Sequence, residues 1–125
     1  MQGFMPGETL QEQDVAIIKK HGSGILQITN VRVLWRRTGD AHYIINASRF
    51  NIKPPVRIAE TKEDDVETLV MQIEFIGDMP KVYFRFTGDE AKNRAERVKT
   101  LLEQVPSEKA IAEESLETEQ LMKMV

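Results

Sequence analysis

The spacing of apolar residues changes once along this chain, in its last third, and that change limits the folds available to it. Before the change, short segments alternate apolar and polar residues with a period of two, as β-strands do. After it, one apolar stripe repeats every three or four residues: Ala91, Ala95, Val98, Leu102 and Val105. The pattern predicts a series of strands followed by one amphipathic helix.

Seven segments have the alternation of strands and are separated by glycine, proline or charged residues that favour turns. They span residues 9–20, 25–29, 31–36, 41–47, 56–59, 66–76 and 81–87. The residues predicted to face inward are Val31, Val33 and Trp35 in the third segment, Leu69, Met71, Ile73 and Phe75 in the sixth, and Val82, Phe84 and Phe86 in the seventh. Those predicted to face outward in the third are Arg32, Leu34 and Arg36.

The boundaries of these elements have their own signals. Pro54-Pro55 marks a break or a sheet edge, because proline cannot donate to a ladder. Thr87 or Gly88 is expected to cap the helix, and Pro106 to end it. Ion pairs four residues apart are predicted on its polar face: Lys92–Glu96 and Lys99–Glu103.

The 125 residues suit one domain with flanking segments. We predict a flexible lead-in at 1–8, a domain at 9–105, and an acidic linker or marginal helix at 106–125. The fold class is α+β and mainly β, with a seven-stranded, partly open barrel or sandwich that one C-terminal helix caps.

Charge is distributed unevenly, and this excludes one class of partner. The whole chain has a formal net charge of −3. Residues 106–125 carry five acidic side chains and two lysines, also a net of −3, so the rest of the chain is neutral. Because a nucleic-acid-binding domain has a basic excess, no nucleic acid is expected as a partner.

Catalytic and metal chemistry find little support in the residues. The chain has no cysteine, and neither His21 nor His42 stands in a metal-ligand spacing. No G-x-S-x-G, P-loop or G-x-G-x-x-G motif is present. The expectation is a protein that is not an enzyme and uses no cofactor. Neither a signal sequence nor a membrane span is recognisable, so we expect a cytoplasmic protein, peripheral at membranes, with a nuclear location as the alternative.

Two segments resemble the GRAM/GLUE branch of the pleckstrin-homology (PH) superfold. Residues 24–36, GILQITNVRVLWR, resemble the signature G-x-L-x-(I/L)-T-x-x-R-(I/L)-x-W. Residues 83–86, YFRF, lead into the helix as in that branch, and residues 6–10, PGETL, are similar to its G-E-x-L entry. The resemblance covers about residues 7–105. Within the superfold, this part of the chain is similar to the GLUE domain of the ESCRT-II complex, to the PH domain of a core TFIIH subunit, and to the PH-like BBSome subunit.

The resemblance implies a non-catalytic adaptor in protein transport. Similarity to the GLUE domain implies binding of ubiquitin, of acidic phospholipid headgroups such as phosphoinositides, or of both, within a larger membrane-sorting complex. Similarity to the TFIIH domain implies recruitment of acidic peptides in transcription or DNA repair. A purely structural interaction module is the third alternative.

Candidate binding residues follow from charge and exposure. Arginine and lysine suit phosphates and acidic peptides, and the candidates are Arg32, Arg36, Arg37, Lys53, Arg57, Lys62, Lys81 and Arg85, with His42 near the first three. Ubiquitin needs a small apolar patch with a polar rim, and the candidates are Val70, Ile76, Met79 and Leu101. For each set, the alternative is an ordinary solvated or core-covering surface.

Overall fold

The computed structural model describes residues 4–77 and 79–104, which form one antiparallel sheet and one α-helix. The strands are β1 (Leu10–Ile18), β2 (Gly22–Thr29), β3 (Arg32–Arg37), β4 (Ile45–Ser48), β5 (Ile52–Glu63), β6 (Val66–Phe75) and β7 (Val82–Phe86). A 3₁₀ helix, Arg49–Asn51, joins β4 to β5, and helix α1 spans Ala91–Leu102. The strand order is β4-β3-β2-β1-β7-β6-β5, so β4 and β5 are the open edges. The predicted fold class is confirmed: a mainly β domain with a sheet that is not closed and a C-terminal helix.

The core lies on one face of the curved sheet, where α1 packs against β5, β6 and β7. The predicted inward residues of the sixth and seventh segments are all buried, as are Val33 and Trp35. The helical stripe is buried at Ala91, Ala95, Val98 and Leu102. The alternating apolar side chains of the strands and the apolar stripe of the helix therefore pack together in one core.

Gly24, in β2, packs against β3 with no room for a side chain. A Cβ atom there would overlap the carbonyl oxygen of Arg36 and the indole ring of Trp35. The indole is fully buried, and its Nε1 donates to the carbonyl oxygen of Ala16 at 3.1 Å. Only glycine lets β2 pass this close to the tryptophan.

The prediction that Leu34 faces outward into solvent is wrong, because its exposed fraction is 0%. The residue does lie on the opposite side of β3 from Val33 and Trp35. Its cross-strand partner is Gln27, and the hydroxyl of Tyr43 lies 3.1 Å from the Gln27 side-chain oxygen. The Tyr43 side chain therefore reaches across β3 on the face that carries Leu34.

Several strand boundaries differ from prediction. The second strand begins at Gly22 rather than at residue 25. The fourth strand begins at Ile45 rather than at residue 41, after a turn. The fifth runs from Ile52 to Glu63, through the cis Pro54-Pro55 bond and a register shift, so the prolines lie in an edge strand. Residues 60–63, which lie outside the predicted strands, therefore belong to β5, and a turn at Asp64 and Asp65, whose φ angles are 51° and 63°, follows them.

The start of α1 also differs from prediction. Its N-cap is Glu90, with φ 58° and no side-chain cap, in place of Thr87 or Gly88. Lys92 pairs with Glu60 at 3.8 Å rather than with Glu96. The predicted Lys99–Glu103 pair is confirmed at 3.4 Å. The helix ends at Leu102, and Val105, Pro106 and the predicted linker at 106–125 lie outside the described residues.

Candidate functional site

Three connections meet at one end of the sheet. The register pairs Ile18 with Gly22, Ile17 with Arg85 and Ile73 with Val82. This brings together the turn between β1 and β2, the loop between β3 and β4, and the loop between β6 and β7. We call this end the open end, defined by residues 18–22, 38–45, 76–77 and 79–85.

The open end contains a surface cavity of about 470 Å³. Its lining residues are Ile18, Lys19, Lys20, His21, Ile45, Pro80, Lys81, Val82, Tyr83 and Arg85. Cavities of roughly 300–1,000 Å³ are typical of small-molecule sites. The three residues Lys19, Lys20 and His21 form the whole connection between β1 and β2, and the His21 N–H closes it by donating to the Ile18 carbonyl at 2.9 Å.

The open-end cavity is positively charged. None of the described residues that line it is acidic. Arg85 is neutralised by Glu63, whose carboxylate accepts from its Nε at 3.0 Å. Lys19, Lys20 and Lys81 are exposed, and within the part of the chain described none of the three has an ion pair. The net positive charge therefore comes from these three lysines.

The same cavity has an apolar wall, contributed by Ile18, Ile45, Pro80, Val82 and the ring of Tyr83. His21 also lines the cavity, and its ring centroid is 6.1 Å from that of the buried Trp35. The arrangement suits an anion that carries an apolar portion. Among the described residues, no group of three His, Asp or Glu side chains could hold a metal ion.

Arg32, one of the predicted anion-binding residues, is engaged within the protein. Its Nε and Nη2 donate to the two carboxylate oxygens of Glu8 at 2.8 and 2.6 Å. The Thr29 hydroxyl and the Met5 N–H donate to the same carboxylate. The hydrogen bonds from Arg32, which outweigh the opposing effect of burial, lower the pKa of Glu8 from 4.5 to about 2.

Arg36 and Arg37, two further predicted anion-binding residues, also have partners within the protein. The Arg36 guanidinium donates to the carbonyl oxygen of Asp40 at 3.2 Å, and Arg37 lies 3.7 Å from the Asp40 carboxylate. Both sides of the Arg37 pair are about half exposed, so this pair contributes little to stability. His42 is exposed in the same loop.

Arg57 and Lys62 lie elsewhere, along a groove between the edge strand β5 and α1. The groove comprises two adjoining cavities of about 730 and 490 Å³. Its charged lining is balanced: Arg57, Lys62, Lys92 and Lys99 against Glu60, Glu67, Glu90 and Glu96. Lys53, at the start of β5, is paired with Glu74 at 3.8 Å. This groove therefore offers no net attraction to an acidic ligand.

The four residues predicted to contact ubiquitin are divided between surfaces. Ile76 is 65% exposed, and Met79 shares its loop but packs partly against the core. Leu101 also packs against the core. Val70 is half-buried on the outer face of the sheet, opposite Ala59 and Arg85. The structure thus presents Ile76 prominently and does not join Val70 to it.

Sequence reasoning found only Lys81 and Arg85 of the open-end cavity and missed Lys19, Lys20 and His21. The available signal was the basic run Lys19-Lys20-His21 directly before Gly22, because a short hairpin connection lies at the end of a sheet. No protein-family model matches the chain, and no curated protein matches its sequence. No helix within the described residues is long and apolar enough to cross a bilayer.

Proposed function

We propose that this protein is a non-catalytic adaptor that binds the phosphate-bearing headgroup of an acidic phospholipid in the open-end cavity. The observation that carries the proposal is the convergence of Lys19, Lys20 and Lys81 on a cavity whose described lining has no acidic residue. The resemblance to the GLUE branch supports the same function and suggests a place in a membrane-sorting complex.

The chemistry of the lining supports a phosphate ligand. Lysine ammonium groups bind phosphate as point charges and reorient on flexible stems, so three of them accommodate several phosphate positions. The His21 ring and the Tyr83 hydroxyl add groups that donate or accept hydrogen bonds to headgroup hydroxyls. No nucleophile or general base is required of these residues, in keeping with a binding role.

The acidic-peptide alternative has weaker support. Its predicted residues Arg57 and Lys62 line the groove beside α1, where glutamates balance the bases. Ubiquitin stays a second candidate partner, because Ile76 is the most exposed of the large apolar side chains in the described residues. A single such residue gives a smaller patch than protein interfaces usually use.

The proposal is tested by titrating the labelled protein with a water-soluble inositol bisphosphate and following amide chemical shifts. We expect saturable shifts at residues 18–22 and 80–83. The variant Lys20→Ala/Lys81→Ala should weaken binding about tenfold or more, because phosphate contacts are charge-assisted. The matched control Lys53→Ala/Lys99→Ala removes the same charge far from the cavity and should change the affinity less than about twofold.

Two results would overturn the proposal. One is the absence of saturable shifts in the wild-type protein at millimolar ligand. The other is equal weakening by both double variants, which would indicate attraction to overall charge rather than binding in the open-end cavity.

A further inference from the structure

The outer edge of β5 is the longer of the two open edges of the described sheet. β5 has 12 residues and pairs on one side only, with β6. The other open edge strand, β4, has four residues and leads directly into the 3₁₀ helix. An open edge presents backbone N–H and C=O groups that can pair with another strand. A long edge such as that of β5 therefore needs either protection or a partner.

Only the first part of the β5 edge is protected. Pro54-Pro55 has no N–H to donate, and the ladder with β6 is irregular between Lys53 and Arg57. Prolines and bulges of this kind block the addition of a strand. From Arg57 to Glu63 the pairing with β6 is continuous, and residues 59–62 are exposed. We call residues 57–63 the free segment of β5, because they form a regular strand with an accessible edge.

The free segment carries both signs of charge in alternation. Arg57 and Lys62 are exposed bases, and neither forms an ion pair with another described residue. Glu60 lies between them and has one long, largely exposed ion pair, with Lys92 at 3.8 Å. The acidic turn Asp64-Asp65 follows the segment. A strand of the same sequence, running in the opposite direction, can therefore oppose acids to these bases.

The geometry points to a second copy of this chain as the partner of the free segment. When two β5 strands pair antiparallel about a two-fold axis at Thr61, Glu60 of each copy lies directly opposite Lys62 of the other. Arg57 of each copy then approaches the Asp64-Asp65 turn of the other. Opposite charges on directly paired residues stabilise a sheet, and the two-fold axis forms each of these pairs twice.

Neighbouring registers lack this complementarity. An axis at Ala59 would leave both Glu60 and Lys62 opposite apolar residues of the second copy. An axis at Glu60 would oppose that glutamate to its own copy, and an axis at Lys62 would do the same with lysine. Like charges directly opposite one another are destabilising. The charge pattern of the free segment therefore selects the register centred on Thr61.

This contact is independent of headgroup binding. The free segment lies at the end of β5 away from the open end, because Ile52, the first residue of β5, pairs with Phe75 beside the β6–β7 loop. Antiparallel pairing also makes the open ends of the two copies point in opposite directions. Both open-end cavities stay accessible in the dimer, so failure of either proposal leaves the other standing.

Sedimentation equilibrium of the full chain tests the contact. An edge-to-edge interface is small and of the weak, transient class, so the concentration should range from about 10 μM to about 1 mM. Over this range the average mass should rise from the chain mass of 14.3 kDa towards twice that value. Glu60→Lys and Lys62→Glu should each weaken association about tenfold, because each places like charges opposite one another at two points.

An equimolar mixture of these two variants provides the sharpest comparison. In a mixed pair, lysines at both positions of one chain lie opposite glutamates at both positions of the other. The mixture should therefore associate at least as strongly as the wild-type protein. The matched control is Lys53→Glu, which makes the same charge change on β5 but before the prolines and outside the free segment. It should change association less than about twofold.

Amide hydrogen exchange locates the contact independently. In the wild-type protein, protection of amides within residues 57–63 should increase with protein concentration, because edge N–H groups gain partners in the second copy. The amides of β4, Ile45–Ser48, belong to the other open edge and should show no such increase.

The second-copy contact is wrong if the wild-type protein stays monomeric at about 1 mM. It is also wrong if both single variants associate as strongly as the wild type, because any contact would then lie elsewhere. A mixture that associates no better than either variant alone would contradict the register at Thr61, and with it the proposal.

Discussion

Arg32 and Glu8 form a two-point ion pair that attaches the segment before β1 to the start of β3. The carboxylate side chain is 1% exposed and the guanidinium side chain 15% exposed. The sequence predicts a flexible lead-in at residues 1–8, whereas Glu8 is buried and held by four donors. Arg32, a predicted anion-binding residue, is therefore already bound to Glu8 within the folded protein.

The first prediction concerns the pH dependence of stability. Because the folded protein lowers the pKa of Glu8 from 4.5 to about 2, ionised Glu8 stabilises the fold above pH 4.5, and this contribution disappears as the pH falls towards 2. Glu8→Gln should lower the free energy of unfolding by about 3 kcal/mol near neutral pH. The difference between wild type and variant should shrink to about zero near pH 2. Urea unfolding of both proteins at several pH values measures this difference in the free energy of unfolding.

Asp40→Asn is the matched control for this experiment, because Asp40 forms an exposed pair with Arg37 at 3.7 Å. It should change the free energy of unfolding by less than about 1 kcal/mol at any pH. A Glu8→Gln deficit that persists undiminished in acid would show that the loss comes from packing rather than from the ionised carboxylate.

The second prediction concerns Leu34, for which sequence and structure disagree. If Leu34 faced solvent, as the sequence predicts, its truncation would be nearly neutral. Because the side chain is fully buried, Leu34→Ala should lower the free energy of unfolding by about 2–4 kcal/mol. Val15→Ala, at a side chain 54% exposed on β1, should cost less than about 0.5 kcal/mol. Equal effects in urea unfolding would mean that Leu34 is not buried in solution.

The strand count, the helix and most of the core were predictable because each depends on local periodicity. Leu34 was not, since the face of β3 that was predicted to be solvated also carries Tyr43, whose hydroxyl donates to Gln27 on the neighbouring strand. The length of β5 was missed because two prolines normally argue against a strand, while an edge strand tolerates them. Alternation identifies the two faces of a strand but does not show which of them other side chains cover.

The candidate site was predictable only in part, for a similar reason. Arg32, Arg36 and Arg37 are clustered in sequence, yet their partners Glu8 and Asp40 become evident only in the fold. Lys19 and Lys20 share a cavity with Lys81, from a connection that is distant in sequence. The strand order brings charges from separate connections together, and local sequence patterns do not show which connections will meet.

The third prediction concerns the close approach at Gly24. Gly24→Ala should lower the free energy of unfolding by about 3 kcal/mol or prevent folding, because the added methyl overlaps a backbone oxygen and a buried indole. Gly39→Ala meets no atom within 4 Å but has φ 91°, so it should cost only about 1 kcal/mol. Thermal unfolding of the two variants checks the order, and a Gly24→Ala protein as stable as Gly39→Ala would contradict the tight packing.

The last prediction concerns Arg49, which is fully buried and joins three parts of the chain. Its Nη1 donates to the side chain of Gln11 and to the Thr29 carbonyl at 2.7 and 2.9 Å, and its Nη2 donates to the Leu101 carbonyl near the end of α1 at 2.5 Å. Arg49→Met keeps an apolar stem but removes these donors, so it should lower the free energy of unfolding by about 3 kcal/mol. Arg97→Met, at a guanidinium 58% exposed beside Glu12, should cost less than about 1 kcal/mol. Urea unfolding of both variants decides the matter, because equal stabilities would mean that Arg49 does not fasten the helix to the sheet.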